Sequence, residues 1–171
     1  MPAIALLHPE IPQNAGNIAR FSVAIGWNLY FIEPLGFSLE DRALKRAGLD
    51  YWPQVRLRIF RSEEEFLTAT NARRLVFVDP LGRAPFFSFD WSPNDVLLFG
   101  RESTGLSWIG DNSVYIPMAA DCRSINLSNA VAIVAYHVAQ RFSDFVRWIP
   151  PKKGSIYPPA PGLDASPSGI R

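Results

Sequence analysis

The sequence predicts an α/β fold in which a mostly parallel sheet is flanked by helices. Two observations support this prediction. Short apolar runs recur along the chain, and several of them are apolar at every position, as strands buried on both faces of a parallel sheet are. Stretches with helical periodicity lie between these runs, which is the alternation typical of connected strand–helix–strand units.

The predicted strands are, in chain order, Ala3–Leu7, Leu29–Ile32, Val55–Phe60, Leu75–Val78, Val96–Phe99 and Val114–Ile116. The predicted helices are Asn14–Ile25, Leu39–Arg46, Ser62–Thr70 and Leu127–Phe142. The last helix is the clearest, because Val131, Val134 and Val138 recur at helical spacing. Ser62 and Glu65 form a capping box that marks the start of the third helix.

The composition limits the classes of protein that the chain can belong to. With 171 residues, of which 48% are hydrophobic and 19% charged, it is long enough to bury a core of its own. A single cysteine, Cys122, excludes an intramolecular disulfide, and with only His8 and His137 beside it no metal site is expected. No apolar run approaches the roughly 20 residues that span a bilayer, so we expect a cytoplasmic protein without a membrane partner.

Charge and composition also vary along the chain. Residues 1–147 are expected to form the folded domain, and residues 148–171, rich in Pro, Gly and Ser, a tail with no packing pattern. The net charge is only +1, but basic residues outnumber acidic ones between Glu40 and Arg61. That stretch predicts either a solvated surface or a face that binds a polyanion.

Three polar stretches follow predicted strands, at the edge where open α/β sheets bind their ligands. In the first stretch Asn14, Asn17 and Arg20 are three residues apart, and they would share one face of a helix. Two amides and a guanidinium on one face indicate a site. The alternative is that Asn14 caps the helix and Arg20 is a surface charge.

The second stretch, Gly100–Leu106, directly follows a buried strand. Gly100 allows a close approach of the backbone to a ligand, and Gly105 allows a positive φ. A ligand loop and a tight turn with an exposed Glu102 are both compatible with this pattern. Leu106 stands where a phosphate-binding P-loop needs lysine, and no G-x-G-x-x-G occurs, so a nucleotide triphosphatase and an ordinary dinucleotide enzyme are disfavoured.

The third stretch leads into the last helix. Ser124, Asn126, Ser128 and Asn129 provide more hydroxyls and amides than one helix cap needs. Capping accounts for one of them, and the others could hold the carboxylate and polar atoms of a small ligand.

The three stretches resemble, in order and spacing, the three motifs of the SPOUT class of RNA 2'-O-ribose methyltransferases. Within that class the similarity is greatest to the bacterial tRNA (cytidine/uridine-34-2'-O)-methyltransferases, and it covers roughly residues 1–145. The blocks that carry it are Pro9-Glu10-Ile11-Pro12 with Asn14, Gly16-Asn17-Ile18 and Arg20; Ile32-Glu33-Pro34-Leu35-Gly36-Phe37; Arg46-Ala47-Gly48-Leu49-Asp50-Tyr51; Leu98-Phe99-Gly100-Arg101-Glu102 with Gly105-Leu106; and Ile116-Pro117-Met118 with Arg123 to Ala130. Arg101 stands where proline is common.

The resemblance implies a homodimer with a deep trefoil knot near the C-terminal end, which binds S-adenosylmethionine within the knot. Knots are rare among proteins, so this expectation rests on the family alone. The residues that the family places against the cofactor correspond to Val78, Gly100, Ile116, Met118, Ser124, Leu127 and Asn129.

The resemblance further implies methylation of the ribose 2'-hydroxyl of the wobble nucleotide in a tRNA anticodon loop, with leucine tRNAs as the expected substrates. The implied catalytic residues are Arg20, Asn17, Asn14, Glu102, Ser124 and Asn126, and Arg42, Lys45 and Arg46 are the implied contacts to RNA. Because a guanidinium only donates hydrogen bonds, Arg20 is expected to stabilise the developing alkoxide or the adjacent phosphate.

Three alternatives remain open at this point. The chain could methylate ribosomal RNA, since relatives share these motifs, or it could be an RNA-binding protein that has lost catalysis. A cysteine hydrolase that uses Cys122 with His8 or His137 is a third possibility, although a lone cysteine is more often structural.

Overall fold

A computed structural model of the chain describes residues 1–40 and 49–142. Most of the predicted helix Leu39–Arg46 lies outside the described residues, as do the basic residues Arg42, Lys45 and Arg46. The predicted tail, 148–171, lies outside them as well.

The described chain contains seven strands, three α-helices and two short 3-10 helices. The strands are β1 (Ala3–Leu7), β2 (Asn28–Ile32), β3 (Leu57–Phe60), β4 (Leu75–Val78), β5 (Ala84–Pro85), β6 (Val96–Phe99) and β7 (Ser113–Tyr115). The α-helices are α1 (Pro12–Ile25), α2 (Glu63–Thr70) and α3 (Leu127–Arg141), and the 3-10 helices span Leu49–Gln54 and Phe86–Ser88.

All seven strands form one sheet in the order β3-β2-β1-β6-β4-β7-β5, and every pair in it is parallel. The α/β prediction with a mostly parallel sheet is therefore confirmed. The chain runs outward from β1 to β3 and then crosses to β4, which leaves β6 between the two halves. Such a switch in direction is where open α/β sheets bind ligands at the carboxyl ends of their strands.

Both faces of the sheet are covered by helices. On one face Ile4 and Leu6 pack with apolar residues of α1 and α3, which also contact each other. On the other face Ala5 packs with Phe60 of β3 and Phe66 of α2. The burial of alternate residues on opposite faces explains why β1 is apolar throughout, since none of its five residues is exposed.

Several element boundaries differ from the predicted ones. Helix α1 begins at Pro12 rather than Asn14, and its N-cap is Ile11, which forms no side-chain cap. A proline at the first helical position is favourable because the amide hydrogen that it lacks has no intrahelical partner there. Strand β3 begins at Leu57 rather than Val55, because the amide of Val55 donates to Trp52 at the end of a 3-10 turn.

The other differences are small. β5 has only two residues and no recognisable sequence pattern, and it was not predicted. Ser62 caps α2 as the capping box predicts, since its hydroxyl accepts a hydrogen bond from the Glu65 amide at 3.1 Å. In the part of the chain that the structure describes, no helix is long and apolar enough to cross a membrane.

Candidate active site

A cleft of 530 Å³ lies at the carboxyl ends of β4, β6 and β7, beside the first turns of α1 and α3. Its walls include the loops that follow these strands. Nine of the site residues expected from sequence line it: Asn14, Val78, Gly100, Glu102, Ile116, Met118, Ser124, Asn126 and Leu127. The three polar stretches, which are far apart in sequence, therefore meet at one place in the fold.

Three of the expected site residues do not line this cleft. Asn17 and Arg20 are exposed on α1, and the Arg20 guanidinium lies 5.3 Å from the centroid of the Tyr51 ring. Asn129 is exposed in the first turn of α3, where its backbone amide donates to Asn126 Oδ1 at 3.4 Å.

Glu102 connects the loop after β6 to the start of α1. Its carboxylate accepts hydrogen bonds from the backbone amides of Glu10 at 2.9 Å and Ile11 at 3.2 Å, and from the side-chain amide of Asn14 at 3.1 Å. A carboxylate is stabilised at this position by the free amides and the positive end of the helix. The amide of Ile11, the N-cap residue of α1, is thus engaged by a distant loop. That loop is a tight turn in which Arg101 and Gly105 exchange backbone hydrogen bonds, as the alternative interpretation predicted, but Glu102 is half-buried rather than exposed.

Asn14 and Asn126 extend this network to α3. The Asn126 side-chain amide donates to Asn14 Oδ1 at 2.9 Å, while Asn126 Oδ1 accepts from the Ser128 amide at 3.0 Å. Asn126 is therefore the cap of α3, and the same side chain joins the two helices. Asn14 is buried and does not cap its own helix, because α1 begins at Pro12 and Asn14 is its third residue. Its side chain contacts Glu102 and Asn126 instead.

Glu10 and Ser103 form a second tie between the same loops. The Glu10 carboxylate accepts from the Ser103 amide at 2.9 Å and from the Ser103 hydroxyl at 2.8 Å. These two bonds hold the pKa of the Glu10 carboxyl below its ordinary value of 4.5, and the bond from the Ser103 hydroxyl has the larger effect. Neither residue was expected at the site, since glutamate and serine in adjacent loops carry no signal until the fold pairs them.

A third network flanks the cleft at Arg101. The Arg101 guanidinium donates to Nδ1 of His8 at 2.7 Å, and Nε2 of His8 lies 3.7 Å from a carboxylate oxygen of Glu63. Since a guanidinium only donates, Nδ1 is the acceptor and the proton of the neutral ring is on Nε2. Burial, followed by the charge of Arg101, lowers the pKa of His8 below 6.5.

Asp79 fixes the loops on the opposite side of the cleft. Its carboxylate accepts from the amides of Leu81 at 2.9 Å and Leu106 at 3.1 Å. Gly105 lies against it with a φ of 71°, which confirms the predicted positive φ, and a Cβ there would be 2.8 Å from Asp79 Oδ2. Gly100 also permits a close approach, but its neighbour is the backbone of Gly105, 2.1 Å from the position of a Cβ.

Arg123 is a further cleft residue, which sequence reasoning did not identify. It is exposed and lines the cleft next to Ser124. The sequence signal for Arg123 is its position in the third polar stretch, directly before Ser124.

The geometry does not favour hydrolysis by Cys122. Its thiol donates to the Ser124 carbonyl at 3.5 Å, whereas His8 binds Arg101 and the His137 ring packs against Phe86. Within residues 1–40 and 49–142, no three His, Cys, Asp or Glu side chains are grouped to hold a metal ion.

The cleft has room for a small organic ligand. Its volume is within the range of sites for small organic ligands, about 300–1,000 Å³. Val78, Ile116 and Leu127 provide apolar walls, and Ser124 and Asn126 provide polar groups on one side. The residues present therefore match a ligand that has both an apolar part and polar substituents.

A parallel sheet with a cleft at the carboxyl ends of its strands is the arrangement of α/β proteins that bind a small ligand. Residues 1–136 match the family model described as the SpoU rRNA methylase family. The chain belongs to this family. Its members use S-adenosylmethionine, and the SpoU methyltransferase AviRb from Streptomyces viridochromogenes has been solved with that cofactor. AviRb is 27% identical with a TM-score of 0.76, over 84% of this chain and 61% of AviRb.

Other relatives match over most of their length. The tRNA (cytidine(34)-2'-O)-methyltransferase of Escherichia coli K12 is 39% identical over 139 residues, which are 78% of this chain and 88% of the relative. That of Methylovorus glucosotrophus is 38% identical over 148 residues, 83% of this chain and 96% of the relative. A solved structure described as giving insight into the 2-OH methylation of C/U34 on tRNA is 42% identical, with a TM-score of 0.79. The match covers 84% of this chain and 97% of the other.

Proposed function

We propose that this enzyme transfers a methyl group from S-adenosylmethionine to the ribose 2'-hydroxyl of cytidine or uridine at the wobble position, 34, of tRNA. The observation that carries the proposal is the cleft in which Asn14, Glu102 and Asn126 are joined by hydrogen bonds, in a chain about 40% identical to relatives named for this reaction. Leucine tRNAs are the proposed substrates within this class, and the cytoplasm is the proposed compartment.

The cofactor, when bound, supplies a methyl group on a positively charged sulfur that leaves as a neutral thioether. The protein then has to bind the cofactor, exclude water and orient the ribose. Val78, Ile116 and Leu127 would cover the apolar part of the cofactor, and Gly100 and Met118 would complete this wall. Ser124 and Asn126 would bind its polar atoms.

The Asn14–Glu102–Asn126 network holds the two helix starts at a fixed distance. Its hydrogen bonds, of 3.1 and 2.9 Å, connect residues 88 and 112 positions apart. A nucleophile in line with the methyl group gains most from such fixed positioning, because misplacement of reacting atoms by about 1 Å can lower a rate 100-fold. Asn14 and Glu102 would therefore position the ribose and its surroundings.

We assign activation of the ribose 2'-hydroxyl to Arg20, and Asn17 lies near it on α1. A guanidinium stabilises an alkoxide as negative charge develops, and it also binds an adjacent phosphate. Because both side chains are exposed and lie outside the cleft of their own chain, this role requires another surface to meet them.

A homodimer would provide that surface. The proposal is supported by Ile133, an apolar side chain on α3 that is 41% exposed in the single chain, and by the outward placement of Arg20. Sedimentation equilibrium measures the oligomeric state directly, and a monomer at the concentrations of the assay would contradict it.

A trefoil knot near the C-terminal end is also proposed. One close backbone approach supports it, because a Cβ on Gly82 would lie 2.3 Å from the Val114 carbonyl carbon. The loop that follows β4 therefore lies directly against β7, as an interlaced arrangement requires.

Contacts to the anticodon stem-loop are proposed for Arg42, Lys45 and Arg46. Cations in this basic stretch would neutralise phosphates, while the target nucleotide is unstacked into the cleft. Replacement of each by glutamine should weaken tRNA binding and reduce its dependence on salt.

The function is tested with labelled S-adenosylmethionine and two RNA substrates. The purified protein is incubated with tRNA from a strain that lacks wobble 2'-O-methylation, and separately with ribosomal RNA, and the labelled nucleosides are identified after digestion. Label in 2'-O-methylcytidine or 2'-O-methyluridine at position 34 is expected, and sequencing of the labelled tRNA identifies the isoacceptor.

The same experiment decides between this proposal and its rival. The family's description names ribosomal RNA, so label in ribosomal RNA alone would replace the proposed substrate. No transfer to either RNA would instead indicate a binding protein without catalysis.

A further inference from the structure

Arg123 is a cation in the cleft whose guanidinium has no acceptor among the described residues. It is exposed, lines the cleft and directly precedes Ser124. We propose that Arg123 binds an oxyanion of the reactants, either the carboxylate of the cofactor or a phosphate next to the target ribose. This inference rests on the proposed function, and it assigns the recognition of charge to a residue outside the expected catalytic set.

The carboxylates of the cleft do not neutralise Arg123. The oxygens of Glu102 accept from Glu10, Ile11 and Asn14. The oxygens of Asp79 accept from the amides of two loop residues, Leu81 and Leu106. Both carboxylates therefore join loops to each other, and within residues 1–40 and 49–142 the donors of the Arg123 guanidinium are available to a ligand.

The other cation of the cleft, Arg101, differs in this respect. Its guanidinium donates to Nδ1 of His8 through both Nε, at 3.2 Å, and a terminal nitrogen, at 2.7 Å. Those contacts direct Arg101 toward the end of β1. Among the described residues, Arg123 is therefore the cleft arginine whose guanidinium does not donate to a protein acceptor.

The chemistry of a guanidinium narrows the class of ligand. Its planar set of donors matches the two oxygens of a carboxylate or a phosphate, and such bidentate pairs are stronger than neutral hydrogen bonds. Both reactants of the proposed reaction carry such a group: the amino-acid part of S-adenosylmethionine has a carboxylate, and each nucleotide has a phosphate. The hydroxyl of Ser124, the next residue, could bind the same oxyanion.

The test compares Arg123→Gln with Arg83→Gln. Glutamine keeps a polar side chain and removes the charge. Arg83 is a matched control, because it is exposed, lies outside the cleft and pairs at 2.7 Å with Asp111, which is itself exposed. Thermal unfolding should be the same for both variants, since neither arginine is buried.

Two binding measurements that need no catalysis distinguish the sources of the oxyanion. Calorimetry compares S-adenosylhomocysteine with 5'-methylthioadenosine, which lacks the amino-acid part. If the cofactor carboxylate is the ligand, Arg123→Gln weakens the binding of S-adenosylhomocysteine about tenfold or more and leaves that of methylthioadenosine unchanged. If a phosphate is the ligand, tRNA binding weakens instead, and the slope of log K against log salt shrinks by about 0.7.

The inference is overturned if Arg123→Gln binds S-adenosylhomocysteine and tRNA as Arg83→Gln does. This outcome is separate from a failure of the proposed function. A wild-type protein that transferred no methyl group to tRNA would refute the function, while the comparison of the two cofactor analogues would still report on Arg123.

Discussion

The side-chain amide of Asn126 donates to Oδ1 of Asn14 at 2.9 Å, which joins the first turns of two helices 112 residues apart in sequence. Asn14 in turn donates to Glu102 at 3.1 Å. The start of α1 is therefore held by Glu102 of a distant loop, Asn126 at the start of α3 is held by Asn14 of α1, and the cleft between the helices depends on these connections. Disruption of the Asn14 side chain should affect both stability and ligand binding.

Replacement of Asn14 by alanine should destabilise the fold by about 1–3 kcal/mol, because it leaves partners of a buried amide without hydrogen bonds. Asn14 is only 5% exposed. Urea unfolding measures the loss, and calorimetry should show weaker binding of S-adenosylhomocysteine. Gln13→Ala is the control, because Gln13 is the exposed neighbour on the same helix. Equal stability of the two variants would contradict the role assigned to Asn14.

Replacement of Gly105 by alanine should destabilise the loop after β6 in two ways. The residue has a φ of 71°, and a Cβ would lie 2.8 Å from Asp79 Oδ2. Left-handed backbone alone costs a non-glycine residue about 1–3 kcal/mol. Gly26 has the same φ but no atom within 4 Å of a Cβ, so Gly26→Ala isolates the backbone effect.

The difference between these two glycine variants measures the crowding by Asp79. We expect Gly105→Ala to be the less stable in urea unfolding, and also to bind the cofactor product more weakly. A Gly105→Ala variant no less stable than Gly26→Ala would show that Asp79 moves aside freely.

Stability should fall as the solution is acidified through pH 6.5, because the pKa of His8 is lowered in the folded protein. Burial is the largest cause, and the charge of Arg101 acts in the same direction. The unfolded chain then binds more protons than the folded one, so stability is present above the unfolded pKa of 6.5 and is lost below it.

Unfolding midpoints between pH 8 and pH 5 measure this effect, and His8→Gln should flatten the profile. His137, whose pKa burial also lowers, contributes with the same sign, so His137→Gln serves as the companion variant. An unchanged profile in His8→Gln would contradict the account of the Arg101–His8 pair.

Removal of the Arg74 side chain should cost about 1–3 kcal/mol, because the buried Asp95 carboxylate then keeps only the Ser92 amide as a donor among the described residues. Arg74 donates to both carboxylate oxygens of Asp95, at 2.8 and 2.9 Å, and the Asp95 side chain is fully buried. Arg83 and Asp111 form an exposed pair at 2.7 Å, where the corresponding loss should be no more than about 1 kcal/mol. Chemical unfolding of Arg74→Ala and Arg83→Ala compares the two, and similar losses would contradict this distinction.

Much of the fold was predictable from local patterns. Strand β1 was predicted with its observed boundaries, Ala3–Leu7, because a strand buried on both faces is apolar throughout. Helix α3 was predicted from its apolar spacing, and Asn126 was among the residues proposed to cap it. Local patterns did not predict the start of α1 correctly. The partner of the backbone there is Glu102, which belongs to a distant loop.

The contents of the site were predictable to a smaller extent. The resemblance placed Asn14, Glu102 and Asn126 at one site, and their geometry brings them together. It could not reveal that Glu10 binds Ser103 or that Arg101 binds His8, since these pairs depend on how loops 93 residues apart in sequence are brought together. The resemblance also could not show that Arg20 lies outside the cleft, whereas Arg123 lines it.

The most direct test of the central claim uses a synthetic anticodon stem-loop with cytidine at position 34 and a matched one with 2'-deoxycytidine there. Both are incubated with labelled S-adenosylmethionine and the wild-type protein. If the wobble ribose hydroxyl is the nucleophile, label enters the first RNA and not the second. Equal labelling of the two would contradict the account, because the methyl group would then be transferred to some other atom.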